Sequence, residues 1–152
     1  MKRIRPTSNL VKQALFNILY DVSDLNFADL FAGTGEIGIT ALKKGANQVI
    51  FVEKDKKRAT DIKKKIQSLN GNFKVFSYDV LKFLKNHKGE PFDVIFADPP
   101  YNYKKYKELI ELSLKNLKED GIFILEHRKD KHFNPDEERQ YGDTVLSIWR
   151  KR

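Results

Sequence analysis

Apolar and polar positions change period several times along the chain. In "TSNLVKQALFNIL" (7–19), Val11, Ala14, Leu15, Ile18 and Leu19 recur at helical spacing, the buried stripe of an amphipathic helix that Thr7 or Ser8 can cap. Five short apolar runs follow: "FADLF" (27–31), "QVIFVE" (48–53), "FKVFSY" (73–78), "FDVIFA" (92–97) and "GIFILEH" (121–127). Runs of this length bounded by turn residues are strands, and the helical stretches between them imply right-handed βαβ crossovers. A parallel sheet covered on both faces is therefore expected, an open α/β fold. The tail "ERQYGDTVLSIWRKR" leaves no room for a crossover helix. Gly142 and Asp143 between two strand-like segments predict a C-terminal antiparallel hairpin.

Composition narrows the setting. A chain of 152 residues suits one domain, 1–152, able to bury about 70% of its unfolded surface. No run approaches the roughly 20 apolar residues of a membrane span, and "MKRIRPTSNL" lacks the apolar centre of a signal peptide, so the expectation is a soluble, cytoplasmic protein. There is no cysteine, and His87, His127 and His132 show no metal-ligand spacing; chemistry is expected to run without a metal. The excess of 29 Lys+Arg over 21 Asp+Glu gives a net charge of +8 and favours polyanionic partners. The densest basic stretch, "KDKKRATDIKKK" (54–65), reads as a solvated helix face, because Ala59, Ile62, Ile66 and Leu69 already form a buried stripe.

Candidate chemistry gathers at the ends of the apolar runs. "DLFAGTGEIG" (29–38) carries Gly33, Gly35 and Gly38 in G-x-G-x-x-G spacing, and Glu53 ends the next strand. Glycines let the backbone turn tightly against a nucleotide-type ligand while the acid accepts ribose hydroxyls. A dinucleotide fits this spacing as well; Asp29, a carboxylate beside the site, favours a ligand bearing an ammonium, such as S-adenosylmethionine, over a pyrophosphate. Asp79 after the third run can accept from an adenine amine, cap the helix that follows, or do both.

"FADPPY" (96–101) ends the fourth run, where open α/β sheets bind ligands. Pro99 and Pro100 fix φ and lack N–H groups, so with Asp98 this turn presents acceptors and no donors. Such a pocket receives an N–H₂ group, and Tyr101 offers a face on which a base can stack. The combination matches an exocyclic amine on a base extruded from its stack.

In this order, glycine turn, ribose acid and D-P-P-Y, the chain resembles the class I S-adenosylmethionine-dependent methyltransferases that methylate amines. More narrowly, "RPTSNLVKQALFNIL" (5–19), "DLFAGTGEIGITALKKGA" (29–46), "VEKD" (52–55) and "FADPPY" are similar to the RsmD-type 16S ribosomal RNA guanine-N2 methyltransferases. The resemblance implies a Rossmann-like methyltransferase fold, S-adenosylmethionine as cofactor with S-adenosylhomocysteine as product, no metal, and 16S RNA or the small ribosomal subunit as partner of a monomeric enzyme. It assigns Thr7, Asp29, Phe31, Gly33, Thr34, Gly35, Glu53, Asp79, Val80 and Asp98 to the cofactor, and Asp98, Pro99, Pro100 and Tyr101 to catalysis. Family members carry a basic, glycine-containing segment ahead of "RPT", where this sequence has "MKRI". RNA contacts are therefore expected from Lys2, Arg3 and Arg5, from Lys104, Lys105 and Lys107 beside the D-P-P-Y turn, and from the basic end Arg150–Arg152. Rival readings are an adenine-N6 methyltransferase, which D-P-P-Y alone does not separate, a non-catalytic RNA-binding module, and an NAD-dependent oxidoreductase, which leaves Asp98–Tyr101 unexplained.

Overall fold

The computed structural model describes residues 8–152; Thr7, Arg5, Arg3 and Lys2 lie outside the described residues. Among the described residues five helices and seven strands follow one another as α1 (Asn9–Leu19), β1 (Asn26–Leu30), α2 (Glu36–Lys43), β2 (Gln48–Val52), α3 (Lys56–Ile66), β3 (Asn72–Phe76), α4 (Val80–Asn86), β4 (Phe92–Ala97), α5 (Tyr106–Lys115), β5 (Leu117–Arg128), β6 (Glu137–Tyr141) and β7 (Thr144–Arg150). The strands form one sheet in the order β3-β2-β1-β4-β5-β7-β6. The four pairings among β1 to β5 are parallel, and β7 and β6 join antiparallel. Among the described residues no helix is long and apolar enough to cross a membrane.

The continuous apolar runs are explained by burial on both faces. In β4, Val94 and Phe96 enter one core with α1, α2 and α3, while Ile95 and Ala97 enter the other with α4 and α5. α1 is capped by Ser8, whose Oγ accepts from Val11 N–H at 3.2 Å, and buries Val11, Leu15 and Phe16. α3 buries Ala59, Ile62 and Ile66 and turns its lysines outward, the solvated face that its period predicts. The hairpin closes with a two-residue loop between Tyr141 and Thr144, Gly142 standing at φ 62°.

β5 begins four residues earlier than its apolar run. Leu117 pairs with Phe92, the register then slips, and regular pairing resumes at Ile122 opposite Val94. Asp120 takes a left-handed φ of 66° in the slipped stretch. A bulge thus lets the charged "KED" (118–120), exposed at Glu119 and Asp120, sit inside a strand between buried Leu117 and the buried run from Gly121, which alternation alone does not reveal.

Chain direction places the candidate site. From β1 the chain steps outward to β2 and β3, then returns to β4 on the other side of β1. The carboxyl ends of β1 and β4 therefore flank the crevice where strand order reverses, the position at which open α/β sheets take ligands.

Candidate active site at the β1/β4 crevice

After β1 the chain turns through Phe31 (φ 57°), Gly33 (φ 61°) and Gly35 (φ 79°) into α2. A left-handed phenylalanine costs on the order of 1–2 kcal/mol, held here by packing: its ring meets Tyr103 edge-on at 5.2 Å. Gly38 serves a different need, since a Cβ there would come within 2.3 Å of the Phe51 ring. α2 can lie against β2 only because that side chain is absent.

Glu53 closes the turn. Its Oε1 accepts from Gly33 N–H and its Oε2 from Asp55 N–H, both at 2.8 Å. The acid and the glycine 20 residues apart in sequence thus meet directly. Asp29 lies beneath the turn, 1% exposed, with Oδ2 accepting from Gly38 N–H at 3.0 Å. Burial pushes its carboxyl up to about 8, against the pull of the Gly38 amide and with help from the Glu53 charge. With Asp29 under the helix start and Glu36 in its first turn, the start of α2 is a poor seat for a pyrophosphate.

Asp79 caps α4, its Oδ2 accepting from Lys82 N–H at 3.1 Å. Val80 is 3% exposed within the core, so it can offer a ligand only its backbone. On the outer flank of the turn, Lys65 Nζ donates to the Thr34 carbonyl at 2.9 Å. Lys12, Lys43 and Lys65 line a groove of about 440 Å³ there, away from the β1/β4 crevice.

At the end of β4, Asp98 N–H reaches the Leu30 carbonyl at 3.4 Å, and Tyr103 N–H donates to the Pro100 carbonyl at 2.9 Å, folding the D-P-P-Y segment over the crevice. Pro99 is buried, Pro100 exposed, and the Tyr101 ring is 74% exposed. Burial holds the Asp98 carboxyl well above the ordinary carboxylate range, and the charges of Glu126 and Asp29 add to the shift. Tyr103 is pushed up to about 12, first by burial and then by the charge of Asp79. Asp79, Tyr103, Phe31 and Asp98 therefore belong to one crevice, whereas Lys104, Lys105 and Lys107 stand exposed on its rim.

Glu126 had no motif to announce it. The only sign is that "FILEH" (123–127) ends its apolar run on an acid, as "VIFAD" (94–98) does. Among the described residues no group of His, Asp or Glu is arranged to hold a metal.

A family model described as conserved hypothetical protein 95, the RsmD family, matches residues 1–150. The chain belongs to this family. Ribosomal RNA small subunit methyltransferase D of Haemophilus influenzae is 37% identical over 135 residues, covering 84% of this chain and 70% of that protein. The Escherichia coli protein of the same name is 32% identical over 127 residues, covering 81% and 64%. A solved structure of a candidate methyltransferase from Escherichia coli superposes with a TM-score of 0.86 at 27% identity, covering 97% of this chain and 88% of that one. An RNA methyltransferase from Salinibacter ruber, solved with S-adenosyl-L-homocysteine, shares the fold at a TM-score of 0.75 and 14% identity over 96% and 93% of the two chains. The RsmD-family chain thus has the Rossmann-like class I methyltransferase architecture.

Proposed function

We propose that this RsmD-family protein transfers the methyl group of S-adenosylmethionine to the exocyclic N2 amine of a guanine in small-subunit ribosomal RNA. The observation that carries the reading is the meeting of Asp98-Pro99-Pro100-Tyr101 and the Gly33–Glu53 turn at one crevice, joined by the Phe31–Tyr103 contact. The names of the Haemophilus and Escherichia relatives support ribosomal RNA as the substrate. The seven strands form one sheet, which supports a single domain over 1–152.

S-adenosylmethionine supplies a methyl group on a positively charged sulfur. The Gly33–Gly35 backbone and Glu53 fit its nucleoside, with Asp79 positioned for the adenine side and the buried Asp29 keeping the turn in shape. An aromatic amine is a weak nucleophile because its lone pair is shared with the ring. Asp98 accepts one N–H and the Pro99 carbonyl the other, which favours a pyramidal nitrogen and aims its lone pair along the C–S bond. As the N–C bond forms, the C–S bond breaks and its electrons stay on sulfur; one proton then leaves the nitrogen. Burial raises the pKa of Asp98, which makes it a stronger acceptor for that proton. Tyr101 stacks on the extruded base and offsets part of the cost of unstacking, about 1–3 kcal/mol in comparable sites.

Asp98→Ala is expected to lower methyl transfer by at least about 100-fold while calorimetry finds cofactor affinity within a few-fold of the parent. Near-normal turnover would remove Asp98 from the reaction.

A further inference from the structure

Asp98 has a neighbour of its own kind. The parallel register of β4 and β5 pairs Ala97 with Leu125, so the next residues, Asp98 and Glu126, emerge side by side from adjacent strands about 4.8 Å apart. They share a face: two residues before each stand Phe96 and Ile124, both in the core beneath α1, α2 and α3. Two residues before Asp29 stands Phe27 in that same core, so Asp29 shares that face, deeper in the sheet at the level of Phe96. Glu126 is partly exposed, and after burial its charge is the largest influence on Asp98.

A second carboxylate beside the amine pocket can take a second donor of the same base. Guanine brings one. Its N1–H lies next to the N2 amine on the same edge, so two adjacent acceptors meet two adjacent donors. Adenine placed with its N6 amine at Asp98 turns the N1 lone pair toward Glu126, and 2-aminopurine with its N2 amine there does likewise. A carboxylate has about four lone-pair sites, so contacts Glu126 makes within the fold leave capacity for a substrate donor.

We infer that Glu126 is a specificity residue of the same site, selecting guanine by accepting its ring N1–H while Asp98 holds the 2-amino group. This rests on the guanine-N2 reading above and deepens it. A site built to accept a donor rejects an analogue lacking it, because acceptor then faces acceptor.

The test uses small ribosomal subunits whose RNA carries, at the methylated position, either guanine or 2-aminopurine, which keeps the 2-amino group but has a bare N1. The parent protein is expected to favour guanine by about 100-fold in kcat/KM, the scale of one charged hydrogen bond. Glu126→Gln, whose amide can donate to a bare N1, should lose rate on guanine, gain it on 2-aminopurine and bring the ratio close to one. Comparable rates on the two bases with the parent protein overturn the inference without any variant. So does an unchanged ratio in a Glu126→Gln protein that still binds S-adenosylmethionine. If N6-methyladenosine forms instead of N2-methylguanosine, the guanine reading fails and the selection by Glu126 fails with it; methylated guanine with an unaltered ratio sinks only the role of Glu126.

Discussion

At the residue scale, two carboxylates at the glycine turn have separable duties. Asp29 carries a folded-state pKa of about 8 against an ordinary 3.8. The folded chain therefore keeps a proton that the unfolded chain releases. The associated stability is fully present below about pH 3.8 and is lost as pH rises through about 8, the reverse of a salt-bridged aspartate. Asp29→Asn retains an oxygen for the Gly38 amide but has no proton to lose. Denaturation midpoints of the variant should fall less than those of the parent over that window; parallel curves would mean that Asp29 is ionised in the fold. Glu53 is buried at the turn, where both its oxygens orient backbone amides. On the proposed reading Glu53→Ala removes the acceptor for ribose and leaves those amides without theirs, so cofactor affinity should drop by about 10- to 100-fold. Unchanged affinity in a calorimetric titration would place the ribose elsewhere.

At the scale of elements, α2 lies against β2 at Gly38, with no room for a side chain there. Gly38→Ala would drive a methyl into the Phe51 ring, which is fully buried. With no flexible end to move aside, overpacking should cost about 1–3 kcal/mol, read by chemical denaturation. A loss under about 0.5 kcal/mol would show that α2 can shift outward. Gly38 also marks how far the sequence could be read. The glycine spacing, the D-P-P-Y turn and the hairpin loop were legible because each uses residue types whose backbone demands are local. The early start of β5 was hidden because a bulge at Asp120 interrupts the alternation that identifies strands. Glu126 was hidden for a different reason: its place beside Asp98 depends on the register of two strands distant in sequence, which no spacing rule encodes.

At the scale of the whole molecule, a net charge of +8 predisposes the protein to RNA without choosing a face. The proposed site favours one, since Lys104, Lys105 and Lys107 stand exposed beside the D-P-P-Y turn, while the lysines of α3 point away from the core on another flank. Replacing Lys104 and Lys105 together with glutamine should flatten the dependence of log K on log salt by about 1–2 if each meets a phosphate. An unchanged slope would move the RNA to another face. The central claim is tested most directly by offering labelled S-adenosylmethionine and small-subunit ribosomal RNA, free and assembled, then identifying the labelled nucleoside. N2-methylguanosine at a single position is the expected product; N6-methyladenosine, or cofactor binding with no labelled RNA in either form, would contradict it.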